Sequence, residues 1–338
     1  MSEQITRAVS VSQMQVVNDV IGSWKSQVLY TLLKIGAFDL LEKSPADLKL
    51  MAKQLEVPQD SLKRVADAGV SIGYLTREEN VYKNSEMASD VLVSSKPGYM
   101  GNWLRLCARW YDSFGKLETA VRTNRAVEDI NFDDDPEYKD LFIDGMIDYA
   151  QYRGSDVLNY LDLTDKKRLL DVGCGPAVYS DMFCEKYPQL AVTCLDLPHA
   201  LQSARKYLAG KNFNGRIELV ECDYVKTDSY GSGFDVAFLS HVLHQEDEDR
   251  CLNMLTKGFR ALKPGGLLVV QAMFMDSKGM TSTYATLHDL LSLLIFPGGK
   301  NHTSEDTVQW LKKVGFVNVR HQNMSLFNIN SLVIGEKP

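Results

Sequence analysis

The sequence predicts an α/β protein in two parts: a C-terminal doubly wound parallel sheet and, ahead of it, a mainly helical winged-helix domain. Three observations carry this. From Arg168 onward, short apolar runs alternate with helical patterns, as in a sheet whose strands are joined by crossover helices. The segment Arg168–Pro176 is an apolar strand that runs into a glycine turn at Gly173 and Gly175. Nearer the N-terminus, two helical segments joined by a tight turn precede a short hairpin.

The first element is marked by Val17, Val20, Ile21, Trp24, Val28, Leu32 and Leu33, whose three- and four-residue spacing predicts an amphipathic helix stopped near Gly36. Ser44 and Pro45 read as N-cap and first residue of the next helix, with Leu48, Ala52 and Leu55 inward. After a turn at Val57–Asp60, Leu62, Val65, Ala66 and Val70 define a further helix ending at Gly73, and Tyr74–Lys83 reads as the hairpin. Residues 100–165 are helical in pattern and rich in Trp, Tyr, Phe and Met, with an acidic loop at Phe132–Pro136. Strands are expected at Arg168–Val172, Ala191–Asp196, Ile217–Cys222, Phe234–Ser240 and Gly266–Phe274, followed by an antiparallel pair at Val317–Gln322 and Ser331–Glu336. The chain divides as 1–100, 101–160 and 161–338: winged-helix domain, helical linker and sheet domain.

Composition narrows the function. At 338 residues the chain fits about two domains of roughly 150 each. With 45% hydrophobic and 24% charged residues it is globular in type, neither disordered nor fibrous. The most apolar run, Leu287–Phe296, is interrupted by His288, Asp289 and Ser292, and is too short for a membrane span. The opening residues lack an apolar core of the secretory kind, and the six cysteines are scattered singly, so a cytoplasmic protein without a disulfide framework or zinc knuckle is expected. A winged helix invites a DNA-binding or ligand-sensing regulator. Between Glu42 and Asp90, however, seven Lys/Arg face nine Asp/Glu, and the whole chain carries −7, whereas a groove-reading face must be basic. A packing or dimerisation role is the alternative.

The glycine turn points to a nucleoside rather than a dinucleotide. A dinucleotide turn wants a third glycine where Val178 stands, so that helix and strand can pack closely under a pyrophosphate. Asp196 ends the second strand 21 residues after Gly175, where a carboxylate accepts ribose hydroxyls. Asp171, just before the glycines, suits a cationic amino-acid end, and Asp223, after the third strand, suits an adenine amino group. Together these describe S-adenosyl-L-methionine, which carries a sulfonium and an ammonium but no phosphate. The Lys263-Pro-Gly-Gly266 turn before the fifth strand is consistent with it.

On the DVGCG turn, CLDLP, ECDYV, the Ser240–Cys251 segment and Phe296-Pro-Gly-Gly-Lys300, the chain resembles the caffeic-acid/hydroxyindole class of small-molecule O-methyltransferases over nearly its whole length. The resemblance implies a Rossmann-like cofactor domain, a winged-helix dimerisation domain and a homodimer. It adds Leu197, Tyr224 and Ser240 to Asp171, Gly173, Gly175, Asp196 and Asp223 as cofactor-binding positions. It implies a planar aromatic or polyketide-like acceptor lined by Phe142, Met146, Gln245, Gln271, Ser292, Phe296 and Asn301. The family's catalytic histidine aligns with His244, with His241 as the competing candidate. A phenol is ionised to only about one part in a thousand at pH 7, so a positioned base is worth having, typically about 10²–10⁴-fold.

The sequence also departs from the family pattern. Two acids associated with the histidine align with Gln271 and Asn301, and Gln245 and Glu246 follow His244. Without those carboxylates His244 is a weaker base, which leaves N- or C-methylation and non-methylating chemistry as alternatives. The run Glu246–Asp249 beside two histidines invites a metal reading, but acids at a helix start are explained by the macrodipole, and no metal is expected.

Overall fold

The computed structural model describes residues 11–128, 135–275, 282–324 and 330–338. Its contacts divide the chain into two units, Met1–Ala108 and Arg109–Pro338. Residues 132–134 of the expected acidic loop lie outside the described residues; Asp135 caps the helix that follows, accepting the Tyr138 N–H at 2.9 Å.

In the first unit, helices α1 (Val11–Lys34) and α2 (Ala37–Lys43) precede a two-residue strand β1 (Ala46–Asp47), helices α3 (Leu48–Gln54) and α4 (Gln59–Ser71), strands β2 (Leu75–Glu78) and β3 (Val81–Asn84), and helix α5 (Glu86–Val91). The strands form an antiparallel sheet in the order β1-β3-β2, the wing expected from the hairpin plus one extra edge. Leu32, Phe38, Met51, Leu62, Leu75 and Tyr82 make its core. One local reading is corrected. Ser44-Pro45 does not open a helix: Ser44 closes α2, and the cap of α3 is Asp47, whose carboxylate accepts the Leu50 N–H at 2.8 Å.

The apolar stripe of α1 is only half covered. Leu29, Leu32 and Leu33 are buried, but Val11, Val17, Val20 and Trp24 are 84%, 57%, 59% and 65% exposed. Helix α6 (Gly101–Phe114) runs across the division between the units.

The second unit continues with α7 (Leu117–Thr123) and α8 (Pro136–Tyr160). Its alternating part comprises β4 (Arg168–Val172), α9 (Val178–Lys186), β5 (Ala191–Asp196), α10 (Pro198–Tyr207), β6 (Ile217–Glu221), β7 (Phe234–Ser240), a 3₁₀ turn at Leu243–Gln245, α11 (Glu248–Ala261) and β8 (Leu262–Ala272). It closes with α12 (Thr283–Ile295), α13 (Ser304–Val314), β9 (Val317–Asn323) and β10 (Ser331–Glu336). The sheet order is β6-β5-β4-β7-β8-β10-β9; the first five strands are parallel, and β10 is antiparallel to both neighbours.

Each parallel strand feeds both faces. Leu169, Val192, Val236 and Phe238 enter one apolar layer, and Leu170, Leu195, Ala237 and Leu239 the other. Because the chain leaves β4 toward β6 and then returns to β7 on the other side, the strand order reverses at β4. Ligands in open α/β sheets sit at that reversal, beyond the strand carboxyl ends. The fifth parallel strand starts earlier than the glycines suggest. Gly265 N–H donates to the Lys337 carbonyl and Lys337 N–H to that of Gly266, so the chain terminus extends the ladder through the turn.

Candidate active site

Two neighbouring parts of the β4–β7 sheet edge hold the residues the sequence singles out. The first is the turn after β4. Asp171 is buried in the strand, where its carboxylate accepts the Ser180 hydroxyl at 2.5 Å. Burial, with the negative Asp196 nearby and Ser180 opposing, pushes its carboxyl up to about 7. Asp196, at the end of β5, accepts the Gly175 N–H and the Leu197 N–H, both at 2.7 Å, and burial pushes it up to about 6. Each carboxylate oxygen takes one backbone donor and keeps a lone pair for another.

Gly173 has φ +70, and a Cβ there would lie 2.4 Å from Val242 Cγ1, so neither the backbone nor the space admits a side chain. Gly173→Ala is therefore expected to destabilise the protein by about 1–3 kcal/mol, read as a fall in the denaturant midpoint at unchanged slope.

Asp223 and Tyr224 follow β6. Asp223 accepts the N–H groups of Val225 and Lys226 and pairs with Lys226 Nζ at 2.9 Å. The buried Lys257 ammonium donates to the carbonyls of Tyr224, Val225 and Thr227 at 2.8, 2.9 and 3.1 Å, and so fixes this loop from beneath. A cleft of about 630 Å³ opens among Leu197, Asp223, Tyr224, Gln245 and Glu246.

The second part is a cluster of rings. Just past β7, His241 holds a left-handed backbone (φ 55), and its N–H donates to the Gln271 carbonyl at 2.9 Å. His244 follows in the 3₁₀ turn. Its ring lies 6.2 Å from that of His241, 5.1 Å from His288 on α12 and 5.7 Å from Phe296, all edge to face. Tyr149 of α8 meets His241 edge-on at 5.7 Å. Burial and the neighbouring histidines push His244 well below its ordinary value, and burial with His288 takes His241 to about 3. Both shifts favour the neutral ring and weaken it as a base.

The turn that carries His244 is tied down on two sides. His302 Nε2 donates to the carbonyls of Leu243 and Glu246 at 3.0 and 3.1 Å, with its ring against Trp310. Lys300 N–H donates to the His244 carbonyl at 3.0 Å. That carbonyl lies 3.0 Å from where a Cβ on Gly299 would sit, so the glycine permits the approach.

The remaining expected positions are placed as follows. Phe142 and Met146 are one turn apart on α8, with Phe142 edge-on to Trp110 and Tyr138. Ser292 is buried, its hydroxyl turned back to the His288 carbonyl at 3.2 Å. Gln245 reaches the His241 carbonyl at 3.4 Å. Ser240 ends β7 beside the Tyr179 hydroxyl. Gln271 donates to that same hydroxyl at 3.1 Å, and Asn301 pairs with His288. Among the described residues, then, the side-chain hydrogen bond of Gln271 goes to Tyr179 and those of Asn301 to His288 and the Ala285 carbonyl, none to His244. The acids after His244 have local tasks: Asp247 caps α11 and Glu246 pairs with Arg250 at 2.9 Å. Among the described residues no three His, Cys, Asp or Glu side chains come together in a metal-binding group.

Tyr149, His288 and His302 were not singled out by the sequence. His288 shows there only as a polar break in an apolar run, although a histidine on the buried side of a helix is itself a signal.

A glycine turn with two buried acids and, on the same sheet edge, a histidine among rings fit an enzyme of the nucleoside-cofactor, group-transfer type. Comparison with known proteins makes the class specific. The O-methyltransferase domain model matches residues 126–317, and the O-methyltransferase dimerisation domain model matches 19–94. The chain belongs to the O-methyltransferase family. It is 27% identical to 3-hydroxy-5-methyl-1-naphthoate 3-O-methyltransferase of Streptomyces sahachiroi, over 94% of this chain and 93% of that one. It is 30% identical to acetylserotonin O-methyltransferase of Gallus gallus, over 87% and 89%. The crystal structure of human N-acetylserotonin methyltransferase in complex with SAM superposes with a TM-score of 0.88 at 22% identity, covering 98% of this chain and 99% of that one, a likeness of fold.

Proposed function

We propose that the protein transfers a methyl group from S-adenosyl-L-methionine to a hydroxyl of a planar aromatic or polyketide-like molecule, with His244 as the base. The observation that carries this reading is a neutral, ring-walled His244 set on the same sheet edge as the acid–glycine turn. The buried carboxylates of Asp171 and Asp196, with a glycine turn that excludes side chains, fit a cofactor with cationic groups and a ribose, and contain nothing built for phosphate. When bound, that cofactor supplies an electrophilic methyl group on a sulfonium.

The chain's own part is to bind, orient and move one proton. Asp196 would accept the ribose hydroxyls and Asp223 the adenine amino group, while Asp171 would meet the cationic end. With the cofactor bound, His244 would take the phenolic proton onto its ring while the methyl group passes from sulfur to oxygen and leaves a neutral thioether. The aromatic walls hold a flat acceptor and keep water from the reacting oxygen. Mass spectrometry of product from methyl-labelled cofactor and a panel of phenols, hydroxyquinones, hydroxyindoles and amines tests the reading. Label on oxygen supports it; label only on nitrogen or carbon, or none, overturns it.

The exposed stripe of Val11, Val17, Val20 and Trp24 on α1, within a chain that matches the dimerisation domain model, supports a homodimer. The double variant V20E/W24E is expected to convert a dimer to a monomer in light scattering, with the fold kept. No described helix is long and apolar enough to cross a membrane, all six cysteines are unpaired, and the winged segment is acidic. A reducing cytoplasmic compartment and a small-molecule partner, rather than nucleic acid, suit these features.

A further inference from the structure

His288 has a tautomer that can be worked out from its neighbours. Asn301 Nδ2 donates to the Ala285 carbonyl at 2.9 Å, which fixes the amide so that its Oδ1 faces His288 Nδ1 at 3.0 Å. An amide oxygen only accepts, so Nδ1 must carry the proton and donate it. The neutral ring is left with its lone pair on Nε2. Asn301 is in turn held by its backbone N–H, which donates to Asp289 at 2.6 Å. The ring is thus fixed as a hydrogen-bond acceptor, with its centroid 5.1 Å from that of His244.

Two imidazoles beside each other, both neutral and both offering a lone pair, cannot share one hydroxyl, because a hydroxyl has one proton to give. If His244 takes the proton from the oxygen that is methylated, His288 needs a second donor. We propose that His288 is a specificity-determining residue of the acceptor site, and that Asn301 fixes its lone pair to receive a hydroxyl or amino group adjacent to the methylated oxygen. The proposal rests on the methyltransferase reading for which oxygen is which. Asn301 stands where the family pattern has an acid paired with the base, and here it has become the partner of a different ring.

The test uses the full-length protein and three naphthalenes of similar shape: 2,3-dihydroxynaphthalene, 3-methoxy-2-naphthol, which lacks the second donor, and 2-naphthol. Binding is read by calorimetry with and without S-adenosylhomocysteine. The wild type is expected to bind the dihydroxy compound about tenfold or more tighter than the other two, the worth of a buried hydrogen bond. His288→Leu should erase that preference while leaving 2-naphthol affinity within about threefold, and His288→Gln, whose amide oxygen can accept in place of Nε2, should restore most of it. The absence of a preference in the wild type overturns the proposal, whether the three bind equally or not at all. A preference that survives His288→Leu does the same. A preference that follows His288 in a protein indifferent to S-adenosylhomocysteine would overturn the methyl-transfer reading and leave His288 in its role.

Discussion

His244→Ala is expected to lower kcat about 10²-fold, the low end of what a general base supplies, with cofactor affinity unchanged. The low end follows from the surroundings. Burial and three neighbouring histidines hold His244 well below its ordinary value, and among the described residues no carboxylate is bonded to it to stabilise the imidazolium once formed. Such a base is always ready but pulls weakly. Much of the rate must then come from holding a flat phenol against the cofactor, and from the acidity of the phenol itself. Rates measured across phenols of graded acidity should rise with acidity in the wild type, and more steeply in His244→Ala. A loss of 10⁴-fold, or an insensitivity to phenol acidity, would show His244 to be a strong base and this account of its surroundings wrong.

The sequence made the sheet legible because fully buried parallel strands are short apolar runs between helices. Arg168–Val172, Ala191–Asp196 and Phe234–Ser240 have the bounds that pattern predicts. The family and the glycine turn were readable for the same reason: their motifs are local, each a few residues at a strand end. What was not readable depended on distant partners. β1 is two residues long and exists because β3 lies beside it, so Ser44-Pro45 looked like a helix start. The early start of β8 depends on Lys337, at the far end of the chain. The same holds for the site. Nothing near Gln271 or Asn301 in the sequence says that their side chains bond Tyr179 and His288, and nothing near His288 says that its ring meets His244. These relations arise only when α12 packs beside the 3₁₀ turn after β7.

Cofactor affinity should depend on pH more strongly than the cofactor's own charges would require. On the proposed reading Asp171 must be ionised to face the cationic end and Asp196 to accept the ribose hydroxyls, yet burial has raised them to about 7 and about 6. Below those values, binding must first displace a proton from each. Between pH 7.5 and pH 5.5 the two together predict roughly a 10²-fold loss of affinity for S-adenosyl-L-methionine, with about one proton released on binding near pH 6.5. Calorimetry in buffers of different ionisation enthalpy counts that proton directly. Asp171→Asn keeps an acceptor for the Ser180 hydroxyl but no charge; it should bind weakly at pH 7.5 and show a much flatter pH profile.

Folding stability is the poorer readout, because the site pulls it in two directions. The raised carboxyls stabilise the unliganded fold below the unfolded value near 4, and that contribution is lost as pH rises through about 6 and about 7. The lowered histidines, His241, His244, His288 and His302, contribute above about 6.5 and lose that contribution as pH falls toward their folded values. Affinity separates the two sets, since on the proposed reading only the carboxyls meet the cofactor. An affinity that stayed level from pH 7.5 to 5.5 would mean either that both carboxyls are already ionised in the unliganded protein or that the cofactor is met by other groups.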